Sequence, residues 1–386
     1  MRKFILFAAF AGLAALATAA TGATKAIPSG HASLATALVS CNSATIGGMF
    51  PLTVVAPGVG DEQRNWAVMG LADTNKALHT HYKMVQADTQ LTAGPAATVA
   101  QQFASNSNMV AVIGPAGSQE VIASGPIYKS ARMPFVSSSA TRAGSDSLTD
   151  GRFPTFSRDV PNDDIQGPSM ANFVYKNLKG RRVVVIDDQT SYGAPLADTI
   201  ESKLKSKSGS SVSRKSVPRS QTDFSALVTS IPSNTQVVVL AWQSAANGQQ
   251  FARQMKEQGK NAKVFGSDGL FDPSAFTAEG AYVSVFAPTL PANSPYSKAY
   301  TKRFHKEFGA FGPPAYVVAQ IEATAIKSTC KKGSTTRSAV AKAIRKTKLK
   351  KTPLGAWKGF DSHGDPKGAH FYIYKIVNGK YKLANG

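Results

Sequence analysis

A regular alternation of short apolar runs and longer amphipathic stretches restricts the fold of this 386-residue chain more than any other feature. Apolar runs rich in Val and Ile, bounded by helical stretches, are typical of parallel strands buried on both faces. We predict strands at residues 45–50, 82–88, 109–114, 134–136, 182–187, 211–217, 236–241 and 263–266. We predict helices at residues 61–78, 96–105, 118–131, 194–206, 224–231 and 248–258. The pattern indicates an α/β fold with doubly wound parallel sheets.

Two Pro-containing stretches without helical periodicity, residues 155–161 and 287–295, interrupt the alternation and indicate connections between two lobes. Further helices are predicted at 296–308, 314–330 and 335–347, and a closing strand at 371–377. We predict an N-terminal lobe of residues 44–157 plus 290–350 and a C-terminal lobe of residues 158–289 plus 351–386. Two parallel-sheet lobes joined by several crossings imply a multi-strand hinge and a cleft between the lobes.

The N-terminus has the layout of a secretory signal peptide. A basic start, Met1-Arg2-Lys3, precedes an apolar run at residues 4–17 and small residues at 17–20. We therefore predict a signal peptide at residues 1–20, cleavage near Ala20, a leader at residues 21–43 and an exported protein, with an uncleaved N-terminal anchor as the alternative.

The two cysteines, Cys41 and Cys330, are too few for a disulfide scaffold or a four-thiolate zinc site. In an oxidising compartment they can pair with each other or remain free thiols. Residues 38–41 also resemble a bacterial lipobox, in which Cys41 would carry a lipid after cleavage. These three alternatives remain open at the level of the sequence.

The net charge of +21, from 44 Lys+Arg against 23 Asp+Glu, raises the question of nucleic-acid binding. The charge is concentrated in two clusters that lack interleaved aromatic residues, so we predict solvated basic faces and no nucleic-acid partner. The first cluster contains Lys327, Lys331, Lys332, Arg337, Lys342, Arg345, Lys346, Lys348, Lys350 and Lys351, and the second contains Lys203, Lys205, Lys207, Arg214, Lys215 and Arg219.

No motif for catalysis is present: there is no nucleophile elbow, no phosphate-binding loop and no His-Glu-x-x-His. His79 and His81 lie close together, but no Cys or acidic ligand neighbours them at metal spacing. Asp187 and Asp188 end a predicted strand, where carboxylates often act as ligand contacts or helix caps. We predict no enzyme activity, no cofactor and no metal site.

Hydroxyl side chains follow two consecutive predicted strands. Ser118 comes after the strand at 109–114 and begins a helix, where backbone N–H groups attract a carboxylate. A plain N-cap serine is the alternative. Residues 137–141, Ser-Ser-Ser-Ala-Thr, follow the next strand. Together the two turns indicate a ligand site at this edge of the sheet.

Seven segments, in order along the chain, resemble those of branched-chain amino-acid-binding proteins, the leucine/isoleucine/valine-type solute-binding subunits of ABC importers with the type I periplasmic-binding-protein fold. They lie at residues 109–118, 133–141, 163–167, 188–193, 222–227, 265–269 and 364–368, and the resemblance covers about residues 44–380. It implies an exported protein that captures a small amino acid, or a related polar molecule, and delivers it to a membrane permease. We expect a monomer; a ligand-sensing module of a signalling system is the alternative.

The resemblance also implies site residues. Positions of the family that hold the carboxylate and backbone of the ligand are matched by Ser118, Ser139 and Thr141. Ala140 lies between the last two and is expected at the ligand with them. Tyr192 matches an aromatic residue that closes over the ligand, and Asp268 an acidic residue that pairs with its ammonium. Two departures from the family pattern concern the pocket wall. Ala241-Trp242-Gln243 replaces the Gly-Gly-Tyr segment of the family, so we expect Trp242 and Gln243 at the ligand. Gly117 stands where a cysteine can occur in the family.

Overall fold

The structure is a computed structural model that describes residues 37–385, so the predicted signal peptide and most of the predicted leader lie outside the described residues. The strands are β1 (Val39–Ser40), β2 (Thr45–Phe50), β3 (Lys83–Asp88), β4 (Met109–Ile113), β5 (Phe135–Ser137), β6 (Phe156–Arg158), β7 (Arg182–Asp187), β8 (Ser211–Ser216), β9 (Val237–Ala241), β10 (Lys263–Gly266), β11 (Tyr282–Val285), β12 (Ser334–Thr335), β13 (Leu349–Thr352), β14 (Gly355–Trp357), β15 (Tyr372–Val377) and β16 (Lys380–Asn385). The helices are α1 (Pro57–Leu78), α2 (Ala93–Ser105), α3 (Ser118–Ser130), α4 (Asp163–Lys176), α5 (Gly193–Lys205), α6 (Ser225–Thr229), α7 (Ala245–Glu257), α8 (Pro295–Phe304), α9 (Gly312–Thr329) and α10 (Arg337–Lys346).

A five-stranded parallel sheet in the order β3-β2-β4-β5-β6 forms the first half of the molecule. Apolar clusters cover both of its faces: Ile46 packs with Trp66 of α1 on one side, and Met49 packs with Phe103 of α2 on the other. Gly47 allows the close approach of α2, since a Cβ there would lie 2.6 Å from the Phe103 ring. This burial on both faces explains the continuous apolar runs of the strands.

A seven-stranded sheet in the order β16-β15-β11-β10-β9-β7-β8 forms the second half. Its strands pair in parallel except at one edge, where β15 pairs antiparallel with both β11 and β16. The predicted α/β fold class with parallel-sheet lobes is confirmed, with the addition of this antiparallel edge.

The chain returns to the first sheet after β11. Helix α9 packs against α1, where a Cβ on Gly70 would lie 2.7 Å from the Tyr316 carbonyl oxygen. The Trp66 ring stacks on Tyr300 of α8, with 4.9 Å between ring centroids. These contacts join helices α8–α10 to the first half; the predicted lobe boundaries remain a proposal.

The structure differs from the predicted elements at several places. Helix α4 was not predicted, and Gly167 and Pro168, which weaken helical periodicity, lie inside it. Residues 156–158, predicted to be part of a connection, form strand β6 of the first sheet. Strands β11 and β16 were also not predicted; β16 is an edge strand whose polar sequence lacks the apolar run of a buried strand.

A buried arginine links the segments that cross between the two halves. The Arg158 side chain has no exposed surface and its Nε donates to Asp365 Oδ1 at 2.5 Å. Its Nη1 donates to the carbonyl oxygens of Ala140 and Arg142 at 3.1 and 2.8 Å. Residue 158 begins the first crossing, and Asp365 lies in the last, between β14 and β15.

Cys41 and Cys330 form a disulfide, and β1 pairs antiparallel with β12 beside it. The bond uses the same Sγ atom that a lipid would occupy, so a disulfide and a lipid at Cys41 exclude each other. Of the three alternatives left by the sequence, the structure contains the disulfide.

We predict that alkylation without reductant leaves the mass of the exported protein unchanged, and that alkylation after reduction adds two groups. A C41S/C330S variant should lose about 2–5 kcal/mol in free energy of unfolding, because the cross-link restricts the unfolded chain. Intact-mass measurement and urea denaturation check both statements. A lipid mass on Cys41, or two free thiols in the unreduced protein, would contradict the first.

We predict that Arg158→Met lowers the free energy of unfolding by about 3–5 kcal/mol, because it leaves Asp365 and two carbonyl groups without their buried partner. Arg152→Met is the matched control: Arg152 pairs with Asp150 and Asp146, but its side chain is one-third exposed, so about 0–1 kcal/mol is expected. Urea denaturation of the ligand-free proteins measures both; equal losses would refute the role given to Arg158.

Candidate functional site

A cavity lies between the two halves, at the carboxyl ends of the parallel strands, the usual place for ligands in open α/β sheets. It encloses about 460 Å³ of empty space, part of it open to solvent. Its apolar lining comes from Pro51, Ala56, Val59, Leu91, Ala116 and Phe311, and its polar lining from Ser118, Ser139, Tyr192, Gln243 and Asp268. Five of the eight predicted ligand residues therefore lie at one cavity.

Ser118 is the first residue of α3 and is buried. Its Oγ accepts a hydrogen bond from the Arg142 N–H at 3.2 Å, whereas Gly117 occupies the N-cap position. The N–H of Gly117 is already used, because it donates to the Glu120 carboxylate at 2.7 Å. The predicted anion site at this helix end therefore cannot use the Gly117 N–H.

The turn at residues 137–141 is held by its own hydroxyl groups. Ser137 Oγ donates to the Pro115 carbonyl at 2.5 Å and accepts from the Ala140 N–H at 2.9 Å. Ser139 Oγ donates to the Ala116 carbonyl at 2.9 Å and accepts from Gln63 Nε2 at 2.8 Å. Ser139 lines the cavity, whereas Ala140 and Thr141 are buried and absent from its lining. The ligand roles of Ala140 and Thr141 remain predictions.

Asp268 follows β10 and supplies the acidic group of the cavity, with 3% of the residue exposed. Tyr192 Oη and Gln166 Nε2 both donate to its Oδ1, the latter at 2.6 Å. Both of these side-chain donors bond Oδ1 and neither bonds Oδ2. Burial raises the pKa of Asp268 to about 6, and the two donors limit the rise by stabilising the carboxylate. The group is well placed to receive a cation or a hydrogen-bond donor.

A second buried carboxyl group lies near Asp268. Asp163, the first residue of α4, is 2% exposed, and burial raises its pKa well above the usual range; the negative charge of Asp268 raises it further. Two neighbouring carboxyl groups in a low-dielectric site resist simultaneous ionisation. Negative charge at this site is therefore costly in the absence of a cation.

Gln243 and Trp242 have different surroundings although they are neighbours in sequence. The Gln243 amide exchanges two hydrogen bonds of 3.2 Å with Gln119 of the opposite half, and its backbone N–H donates to Asp188 at 2.7 Å. The Trp242 indole is 1% exposed and packs 4.9 Å from the Phe224 ring in the core. Trp242 does not line the cavity, and its ligand role remains a prediction.

Arginine side chains also join the two halves across the cleft. Arg219 Nη1 donates to the Leu91 carbonyl at 3.0 Å, and Arg142 Nη1 donates to the Ser191 carbonyl at 2.8 Å. With the Gln119–Gln243 pair, these bonds hold the cleft in a closed arrangement.

Asp187 and Asp188, for which the sequence left a ligand contact or a helix cap open, have structural partners. Asp187 forms an ion pair with Arg214 at 2.6 Å, and Asp188 accepts hydrogen bonds from Thr190 and from Gln243. Neither lines the cavity. Neither caps helix α5, whose N-cap position is Tyr192, so both serve local structure through these contacts.

Sequence reasoning missed Gln63 and Gln166, which hold Ser139 and Asp268 in place. Gln166 lies within one of the resembling segments, but nothing local distinguishes it from a surface glutamine. In the described part of the chain, no group of three or more His, Cys, Asp or Glu side chains could hold a metal ion. Within the same residues no helix is both long and apolar enough to cross a membrane.

Comparisons with known proteins agree with this geometry. Residues 43–380 match the family described as Periplasmic binding protein. The Leu/Ile/Val-binding protein BraC3 of Rhizobium johnstonii is 29% identical over 368 residues, covering 92% of this chain and 97% of the relative. A leucine-binding protein, LivK of Thermotoga maritima, has a similar structure, with a TM-score of 0.79, 24% identity, and coverage of 88% of this chain and 97% of that one.

A further solved structure is similar over almost its whole length. It is the branched-chain amino acid transporter substrate-binding protein LivJ of Streptococcus pneumoniae in complex with isoleucine, with a TM-score of 0.77 and 22% identity over 89% of this chain and 99% of that one. The resemblance found in the sequence is confirmed by these relatives. The chain belongs to the periplasmic binding protein family.

Proposed function

We propose that this protein is an exported amino-acid-binding protein that captures its ligand in the cleft and delivers it to an ABC importer. The observation that carries the proposal is the buried Asp268 carboxyl group, which faces a cavity also lined by the Ser118 and Ser139 hydroxyls. An α-amino acid carries an ammonium and a carboxylate, the two groups that such an arrangement complements.

The apolar lining supports a ligand with an aliphatic side chain. Val59, Leu91 and Phe311 line the same cavity as Asp268 and offer no charge or hydrogen-bond donor from their side chains. Burying an aliphatic side chain against them contributes about 1.5–3 kcal/mol. Leucine, isoleucine and valine are accordingly the first candidates, in agreement with the names of the relatives.

Delivery to a permease follows from closure of the cleft. The cross-cleft bonds of Arg219, Arg142 and Gln243 bring surfaces of both halves together, so a transporter can distinguish the loaded, closed protein from an open one. We propose that the protein acts as a monomer in this step.

The first prediction compares leucine with two analogues, each lacking one charged group. Leucine should raise the melting temperature, because a ligand present at about 100 times its Kd stabilises the folded state by about 2.7 kcal/mol. 4-Methylpentanoate, which lacks the ammonium, and isopentylamine, which lacks the carboxylate, should have little effect at equal concentration. A thermal-shift screen of amino acids and these analogues provides the measurement. If 4-methylpentanoate raised the melting temperature as much as leucine does, the proposed amino-acid function would be contradicted.

A second prediction concerns Asp268→Asn, which keeps the shape and removes the charge. Losing one partner of a buried charged hydrogen bond typically costs 2–5 kcal/mol, so leucine binding should weaken about 30-fold or more in calorimetry. The melting temperature without ligand should barely change. Asp272→Asn is the matched control, because Asp272 lies on the same loop but does not line the cavity. Unchanged affinity in D268N would refute the role of Asp268.

The same variant tests a pH dependence. Because the pKa of Asp268 is raised to about 6, the carboxylate predominates above pH 6 and the neutral acid below it. An ammonium ligand prefers the carboxylate, so affinity should fall about tenfold per unit as the pH decreases below 6. D268N should lack this decrease; an equal decrease in D268N would assign it to another group.

A further inference from the structure

The segment from residue 323 to residue 360 contains eleven Lys and Arg and no Asp or Glu. Two of its basic residues have structural roles: Arg337 is buried and donates to backbone carbonyls, including that of Met109 at 2.9 Å, and Arg345 donates to the Phe156 carbonyl at 2.7 Å. The other nine are lysines, from Lys327 to Lys358, and all are exposed. We call these nine lysines the basic face.

No lysine of the basic face takes part in an ion pair with another described residue. The second cluster seen in the sequence differs in this respect. Its Arg214 pairs with Asp187 and with Asp198, and its Lys205 pairs with Glu201. The basic face therefore holds the larger uncompensated charge of the two clusters and is free to meet an external anion.

The basic face begins at the end of the first half that is remote from the cleft. Helix α9 starts beside the cavity-lining Phe311 and ends at Thr329, so its 18 residues separate the two ends by about 27 Å. Its far end carries the Cys41–Cys330 disulfide, and β1 pairs with β12 there. Lys331 and Lys332 therefore lie at the end remote from the cleft, whereas Lys358 borders Asp159 and Phe286 near the crossings between the halves.

The chemistry of the face favours a surface with many diffuse negative charges. Lysine ammonium groups are strongly hydrated point charges on flexible stems, without the planar fork by which arginine recognises single phosphates. Trp357 is half-buried against Phe360 and offers no free ring on which a base could stack. We propose that the basic face docks the protein on the anionic surface of a phospholipid bilayer and leaves the cleft free for ligand and permease.

The test uses sedimentation with phosphatidylglycerol vesicles, with phosphatidylcholine vesicles as the neutral comparison. We expect binding to phosphatidylglycerol that weakens steeply as the salt concentration rises, because exposed charges are screened over about 10 Å at 0.1 M salt. The variant K331Q/K332Q/K350Q/K351Q should bind up to about 600-fold more weakly, since each of the four lysines near an anionic bilayer strengthens binding about fivefold.

The matched control removes four charges elsewhere. Lys256, Lys263, Lys380 and Lys382 are exposed residues of the second half, so K256Q/K263Q/K380Q/K382Q has the same net charge as the first variant. Its vesicle binding should fall less than about threefold, because its basic face is intact. Both variants should keep the ligand response of the unaltered protein, which separates this proposal from the amino-acid function.

Four outcomes would overturn the proposal. They are no binding to phosphatidylglycerol at 0.1 M salt, an equal loss in the two variants, binding that is insensitive to salt, and tighter binding to single-stranded nucleic acid than to the vesicles. The second would assign the attraction to total charge, and the third to apolar contacts with the bilayer.

Discussion

The positions of the segments around the cleft depend on the hydrogen bonds of one buried guanidinium group, that of Arg158. It lies without exposed surface between the first and last crossings and bonds Asp365 and the carbonyl oxygens of Ala140 and Arg142. The same group therefore fixes both the hinge and the turn that carries Ser139. Because a buried cation is tolerated only where its donors are satisfied, these segments must keep their relative positions for the fold to be stable.

The cleft combines this rigid support with an electrostatic arrangement that suits a charged ligand. Asp268 and Asp163 are both buried, and burial raises the pKa of each. In the absence of a cation their ionisation is costly, and an arriving ammonium would relieve that cost. Tyr192 and Gln166 both donate to Oδ1 of Asp268, and in the proposed function Oδ2 would receive the ammonium of the ligand. In the proposed function, Asp268 and the hydroxyl groups of Ser118 and Ser139, which line one cavity, would receive the two charged groups of an amino acid.

Much of the fold could be predicted because its signals are local. The runs at Met109–Ile113 and Val237–Ala241 are entirely buried and read directly as parallel strands. Helix α4 escaped prediction because its interior contains Gly167 and Pro168, and β6 because three residues carry no periodic pattern. Position at a strand end does not reveal which way a side chain points: the Trp242 ring packs on Phe224, and its ligand role remains a prediction.

The sequence by itself determined the α/β class, the family resemblance and the hydroxyl-bearing turns at Ser118 and Ser139, since each depends on residues close together in the chain. Only the tertiary structure decided which distant side chains meet. The Cys41–Cys330 bond joins residues 289 positions apart, and Gln166 reaches Asp268 across 102 positions. Local periodicity specifies which face of an element is buried, but contacts between elements depend on how the buried faces pack together. For that reason the strand-end location of the site was predictable, whereas the side chains that hold its acid in place were not.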